Sequence, residues 1–164
     1  MKKQFRLYNF FFLPWMVWYL PLLPIALTTW LGWVVLAANF VFDSLVLYLA
    51  MRRLRLQGRA RIWEDSILRV YGIGYASDAA GTMLMVGLQT LLVEVFGLRL
   101  HTYWETRIGD TLMALPGILL AGVLIYLLNK RFSFTKCGLE PGEVHTLSLA
   151  LAVFTAPYLL LTGA

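Results

Sequence analysis

Charged residues are scarce in this sequence of 164 residues: only 14% are Asp, Glu, Lys or Arg, whereas soluble domains average about 25%. Hydrophobic residues make up 60% of the chain, and its mean hydropathy is +0.71. A small soluble domain cannot hide that much apolar surface from water, and a disordered chain would be more polar. The composition therefore excludes a disordered chain and favours an all-α integral membrane protein.

Cysteine is nearly absent, since Cys137 is the only one. A single cysteine excludes an internal disulfide and any metal site built from several cysteines. The sequence motifs of zinc proteases, serine hydrolases and phosphate-binding loops are also missing. We therefore expect no cofactor and no enzymatic activity.

Basic residues outnumber acidic residues by 14 to 9, which gives a net charge of +5. They flank the apolar segments and form no basic stripe with stacking aromatic residues, so we expect no nucleic-acid partner. This arrangement is typical of membrane proteins, in which Lys and Arg contact lipid headgroups beside each span. The lipid bilayer is thus the first predicted partner.

Five apolar segments are long enough to cross a bilayer as helices, which takes about 18–20 residues. The predicted spans are residues 10–29, 33–51, 69–96, 111–129 and 145–162. Residues 52–68 are expected to form a cytoplasmic, Arg-rich interfacial link, and residues 97–110 a short outer loop. Because no repeat or domain linker is visible, residues 1–164 are expected to form a single transmembrane helical domain.

The distribution of Lys and Arg predicts the orientation of the chain. With five spans, one side of the membrane carries 12 basic residues and the other side carries 2. The excess marks the cytoplasmic side, so we expect a cytoplasmic N-terminus and an outer C-terminus. A plasma membrane, specifically a bacterial inner membrane, is the expected location because the chain is compact and its loops are short.

The first apolar segment leaves an alternative open. Pro14, Pro21 and Pro24 remove backbone donors and should kink or break this helix. A re-entrant or interfacial first segment would leave four true spans. The segment is expected to stay in the mature chain, because it is long and has no small-x-small cleavage pattern before Trp30.

Two aspartates lie inside predicted spans, where each carboxylate costs about 2.5–3.5 kcal/mol. Asp43 precedes Met51 by two helical turns, which is about 12 Å from the inner face. Asp78 follows Arg69 at a matching depth of about 13–14 Å. Since no Lys or Arg lies inside a span, the acids must be protonated, share a proton or bind a cation.

Polar neighbours extend this pattern on both helices. Asn39 lies one turn before Asp43 on the same face. The third span carries one stripe at helical spacing, formed by Tyr71, Tyr75, Asp78, Thr82, Met85 and Gln89. The predicted ion, proton or substrate site consists of Asp43, Asp78, Asn39, Tyr75 and Thr82, and the secondary polar stripe of Tyr71 and Gln89. Any metal ligands would be the two aspartates.

The leading functional hypothesis is a small transporter or channel for a proton, a metal cation or a cationic solute. Five short spans enclose little volume, so a homo-oligomer or a membrane-protein partner is expected to complete the pathway. Small-residue ridges would allow close helix contact: Gly72, Ala76 and Ala80, and Ser77 with Gly81.

Three alternatives remain at this stage. In the first, the chain is a non-catalytic accessory or assembly subunit that docks another membrane protein through the polar stripe of the third span. In the second, the two acids only join helices by hydrogen bonds. An intramembrane aspartyl protease would also need two facing aspartates. Its Gly-x-Gly-Asp motif is not matched, because Tyr75 follows Gly74, so this activity is disfavoured.

Overall fold

A computed structural model describes residues 30–96 and 107–158 of the chain. Within these ranges the elements are helical, and no strand occurs, which confirms the predicted all-α class for the described residues. The described ranges contain four α-helices: α1 (Trp30–Arg53), α2 (Arg59–Phe96), α3 (Arg107–Leu128) and α4 (Pro141–Thr155). The predicted first span, most of the predicted outer loop and the end of the predicted fifth span lie outside the described residues.

The chain divides between Ala38 and Asn39 into two compact units. In the first unit the structure describes only residues 30–38, which form the beginning of α1. The second unit extends from Asn39 to Ala164. The contacts below all lie within this second unit.

Among the residues that the structure describes, two helical segments are long and apolar enough to cross a membrane. They are Gly32–Arg53 in α1 and Ala114–Ser133, which joins α3 to the π-helical turn that follows it. These segments overlap the predicted spans 33–51 and 111–129. Only 17% and 28% of their most apolar 18-residue windows are buried inside the protein. Most of the apolar surface of these two segments is therefore not covered by the rest of the chain.

The end of α1 is closed by a Schellman motif. The Leu56 N–H donates to the Met51 carbonyl oxygen at 3.1 Å, and the Arg55 N–H donates to that of Arg52 at 3.1 Å. Arg55 occupies the left-handed position of the motif, with φ = +56°. Leu56 and Met51 are both buried, which supplies the apolar contact that usually accompanies this motif.

Helix α2 begins at Arg59 and continues for 38 residues, about 57 Å at 1.5 Å per residue. The predicted link 52–68 is therefore a short turn followed by the first turns of α2. Ile62, Ile67 and Val70 face the core, whereas Arg61 and Asp65 are exposed and lie 3.9 Å apart. This amphipathic start positions the apolar remainder of α2 beside α1 and α3.

All four helices contribute to the main hydrophobic core. Its most deeply buried side chains are Leu47, Met51, Val70, Ile125, Leu147 and Leu151. A smaller cluster of Ala114, Ile118 and Ala156, with Met85 packed against it, joins α2, α3 and the end of α4.

Helices α2 and α3 touch backbone to backbone at two glycines. A Cβ atom on Gly117 would lie 2.6 Å from the carbonyl oxygen of Gly81, and one on Gly81 would overlap that of Gly117. Ser77, one turn before Gly81, is also buried there. One small-residue ridge thus packs against α3, whereas Gly72 and Ala76 of the other ridge are exposed.

A π-helical turn, Asn129–Ser133, ends the third helix. The buried Asn129 amide donates to the Ile125 carbonyl oxygen at 2.8 Å and accepts from the Ser133 hydroxyl at 2.5 Å. Arg69 of α2 donates to the Phe132 carbonyl oxygen at 3.2 Å. The Arg69 guanidinium group thus bonds to a carbonyl group at the end of α3, where a positive charge also complements the helix dipole.

Helix α4 begins earlier than the predicted fifth span. Glu140 and Glu143 form a capping box, and Pro141 occupies the first helical turn. The helix ends at Thr155, because Ala156 adopts an extended ψ of 150° before Pro157. Pro157 therefore ends this helix, whereas Pro116 lies inside α3.

Candidate functional site

The carboxyl group of Asp43 lies between α1 and α2. Asp43 is 8% exposed, and a Cβ atom built on Gly74 would lie 3.4 Å from its Oδ2 atom. Gly74 is itself buried. The carboxyl group of α1 therefore lies beside α2 at ordinary contact distance from this position.

Asp78 follows Gly74 by one helical turn and shares its face of α2. Its carboxyl group interacts electrostatically with that of Asp43. The Asp78 Oδ1 atom is buried and has no hydrogen-bond partner within the described residues. The structure thus brings the two predicted acids together and leaves one carboxyl oxygen available.

Thr82 lies one turn beyond Asp78 and is only 3% exposed. Its hydroxyl oxygen also has no hydrogen-bond partner in the part of the chain that the structure describes. Two other hydroxyls of α2 bond to their own helix: Ser77 donates to the Ile73 carbonyl oxygen at 2.7 Å, and Thr90 to that of Val86 at 2.9 Å. Thr82 therefore differs from these neighbours.

For the remaining predicted residues, the structure shows intermediate burial and contacts of Tyr71. Asn39, Tyr71 and Tyr75 are half-buried, and Tyr71 interacts electrostatically with Tyr75 and with Asp43. The ring of Phe40 contacts that of Tyr71 edge to face at 5.5 Å. This contact aligns the polar stripe of α2 with α1. The side chain of Gln89 lies outside the described residues.

A basic partner for the two acids is absent within the described residues. Among the residues that the structure describes, neither Asp43 nor Asp78 forms an ion pair with Lys or Arg, and no group of three His, Cys, Asp or Glu residues is arranged to hold a metal ion. Two facing carboxyl groups can share a proton or hold a cation between them.

Two features of the structure are not among the residues predicted from the sequence. The first is Gly74, whose spacing of four from Asp78 is a signal that both lie on one face of α2. The second is the polar cluster of Asn129, Ser133 and Arg69. Its members lie far apart in the sequence or within a π-helical turn, and no local pattern signals their contact.

A separate cleft of about 450 Å³ opens at one end of the second unit. It is lined by Arg61 and Asp65 of α2 and by Lys136, Cys137 and Glu143 near the start of α4. Burial and the nearby Asp65 raise the pKa of the Cys137 thiol, whereas Arg69 lowers it. The charges in this cleft are of both signs.

Comparisons with protein-family models, with curated proteins and with solved structures find no match for this chain. Its function is therefore inferred from the residues and their geometry.

Proposed function

We propose that this chain is a multi-pass membrane protein that carries a proton or a small cation through a site formed by Asp43 and Asp78. One observation supports this most strongly. The Asp43 carboxyl group lies against Gly74, one turn from Asp78, and the buried Asp78 Oδ1 atom has no hydrogen-bond partner among the described residues. Acids are costly in an apolar interior and are therefore usually functional there.

A purely structural role fits this geometry less well. If the acids served to join α1 to α2, the Asp78 oxygen would be expected to form a hydrogen bond. Interhelical hydrogen bonds in membranes contribute about 0.6 kcal/mol on average, less than the roughly 2.5–3.5 kcal/mol cost of an embedded acid. A protease is also disfavoured, because Tyr75 follows Gly74 where those families carry an acid.

The exposed surface supports insertion into lipid. A core helix of a soluble protein would be mostly buried, whereas 17% and 28% of the two apolar windows are buried. The exposed side chains of these helices include Val41, Phe42, Leu45, Leu119, Val123 and Leu127. Such faces fit acyl chains. We propose that the predicted segments 10–29, 69–96 and 145–162 complete a five-span protein.

The basic residues support the proposed orientation. Arg61 and Lys136 line the same cleft, and Arg69 bonds to the Phe132 carbonyl oxygen. The Arg-rich turn after α1 and the basic segment after α3 therefore lie at one end. An excess of Lys and Arg marks the cytoplasmic side, so we assign this end and the N-terminus to the cytoplasm of a plasma membrane, specifically a bacterial inner membrane.

The pathway is proposed to be completed by self-association. Gly72 and Ala76 are exposed on α2, and a Cβ atom on Gly72 would have no neighbour within 4 Å. Small residues allow the close approach of a second helix in a membrane. A different membrane protein at this surface would correspond to the alternative of an accessory subunit.

Ion flux in proteoliposomes tests the proposal. The purified protein is reconstituted with an internal pH-sensitive dye, and gradients of protons, alkali cations, divalent cations and an organic cation are imposed in turn. We expect flux in the wild type, and its loss in Asp43→Asn and in Asp78→Asn. The neutral amides cannot release a proton or balance a cation.

Asp65→Asn is the matched control, because Asp65 lies on α2 but is exposed. It should retain flux. Circular dichroism and gel filtration verify that each variant is folded. Flux that persists in both Asn variants would discard the site, and a folded wild type without flux for any gradient would favour the accessory subunit.

A further inference from the structure

We propose that the ion carried by this site is a proton, and that the Thr82 hydroxyl donates a hydrogen bond to Asp78 whenever Asp78 is ionised. This inference rests on the proposed function, because it names the ion and assigns a positioning residue to the same site. It is carried by two buried atoms, the Thr82 hydroxyl oxygen and the Asp78 Oδ1 atom. Neither has a hydrogen-bond partner among the described residues.

Thr82 differs from the other threonines of these helices. A threonine in a helix can satisfy its hydroxyl by donating to the carbonyl oxygen four residues earlier. Thr90 does this on α2, and Thr146 and Thr155 do it on α4. Thr82 is only 3% exposed and makes no such bond. Because a buried polar group without a partner is costly, we expect its hydroxyl to serve a different acceptor.

The carboxyl group of Asp78 is an acceptor within reach of Thr82. Side chains four residues apart on a helix have Cβ atoms about 5–6 Å apart. Each Cα–Cβ bond also tilts toward the helix N-terminus, so Thr82 leans toward Asp78. The same spacing forms a side-chain hydrogen bond in the π-helical turn, where the Ser133 hydroxyl donates to the Asn129 Oδ1 atom at 2.5 Å. A change of side-chain rotamer is therefore enough to join the two unbonded atoms.

The proposed bond belongs to the ionised form of Asp78. A carboxylate only accepts hydrogen bonds, and burying one without a donor is costly. In the part of the chain that the structure describes, no Lys or Arg forms an ion pair with Asp78. When the proton leaves, the O–H bond breaks, its electron pair stays on the carboxylate, and the proton passes to solvent water. The Thr82 hydroxyl keeps its own hydrogen and turns to donate it to Oδ1.

The spacing of the polar groups along α2 favours a proton over a metal cation. The Asp43 carboxyl group lies beside Gly74, whereas Asp78 and Thr82 follow at successive steps of about 6 Å along the helix axis. One cation cannot contact Asp43 and Thr82 together. No group of three His, Cys, Asp or Glu residues is arranged for a metal ion in the described ranges. A proton needs only one oxygen atom at a time and can occupy either acid.

Few charged groups accompany Asp78 in the described ranges. Helix α1 contributes Asp43, which interacts with it electrostatically, and α2 contributes Tyr71 and Tyr75 on the same face. Helix α3 has no charged side chain between residues 114 and 128, and the charged and titratable side chains of α4 lie in its first two turns. Loss of the Thr82 hydroxyl should therefore be visible in the titration of Asp78.

Infrared titration of the full-length protein in detergent tests the inference without any transport. The C=O stretch of protonated carboxylic acids is followed against pH, and the band of Asp78 is identified by its loss in Asp78→Asn. Thr82→Val removes the hydroxyl but retains the shape of the side chain. It should raise the midpoint of this band by about one to two pH units, the effect of losing a hydrogen bond to a charged group. Thr82→Ala should do the same, and Thr82→Ser should titrate as the wild type does.

Thr90→Val is the matched control, since the Thr90 hydroxyl is exposed and bonded to its own helix. It should leave the midpoint unchanged. Replacing N-methylglucamine by sodium, potassium or calcium at equal ionic strength should also leave the midpoint unchanged, because no metal cation competes with the proton. In proteoliposomes, Thr82→Val should shift the pH dependence of proton flux in the same direction as the infrared midpoint.

An unchanged midpoint in folded Thr82→Val or Thr82→Ala would overturn the inference, as would an equal shift in Thr82→Ser. A wild type without a protonated Asp78 band at any pH would also overturn it. A midpoint that falls as a metal cation is added would contradict the choice of a proton, and flux of that cation would leave the proposed transport function standing. A Thr82-dependent shift in a protein without flux would instead support the hydrogen bond and contradict transport.

Discussion

Single residues determine both the turn after α1 and the candidate site. Arg55 holds a left-handed conformation that favours glycine, and the Asp43 carboxyl group lies against Gly74 of α2. The consequences can be measured one residue at a time.

Arg55→Gly should stabilise the protein. A non-glycine residue in the left-handed region costs about 1–3 kcal/mol, and Arg55 is exposed, so its replacement loses little contact. We expect a higher unfolding temperature in detergent. Arg53→Gly removes the same charge from the last turn of α1 and should lower stability by up to about 1 kcal/mol. Equal shifts in both variants would show that the charge, and not the backbone, determines the effect.

The sequence predicted the acids of the site but not their surroundings. Asp43 and Asp78 are visible because a carboxylate is costly in an apolar segment, and their matched depth follows from helical rise. The contact with Gly74 depends on how α1 and α2 rotate about their axes, which spacing alone does not determine. The unbonded state of Thr82 depends on a side-chain rotamer and could not be read from the chain.

At the scale of elements, apolar runs predicted where helices occur better than where they end. Helix α2 continues through the predicted link, because Ile62, Ile67 and Val70 give its charged first turns an apolar face. Helix α4 begins at Pro141, where the capping box outweighs the position of the apolar run. Local polar contacts therefore determine the helix ends.

The crossing of α2 and α3 should tolerate no side chain at Gly81. A Cβ atom there would overlap the Gly117 carbonyl oxygen, and overpacking of this kind costs about 1–3 kcal/mol. Gly81→Ala should lower the unfolding temperature in detergent. Gly87→Ala is the control, since nothing lies within 4 Å of its Cβ position, and it should be neutral or stabilising by up to about 1 kcal/mol. A neutral Gly81→Ala would contradict the close crossing.

At the scale of the whole molecule, charge and hydropathy are separated along the helices. Basic residues gather at the end that holds Arg61 and Lys136, and apolar side chains cover the outer faces of α1 and α3. Within the described residues, Asp43 and Asp78 interrupt this pattern as acids between apolar helices. The transport hypothesis requires that these two acids act as one unit.

The most direct test of that requirement is a double-mutant cycle on flux in proteoliposomes. Asp43→Glu and Asp78→Glu each keep a carboxyl group but move it by one methylene, and each should slow flux partially. Each flux ratio is converted to a free-energy effect. If the acids share one ion, the effect of the double variant should differ from the sum of the two single effects by about 0.5–3 kcal/mol, as for contacting residues. Effects that simply multiply, or a wild type without flux, would contradict a shared site.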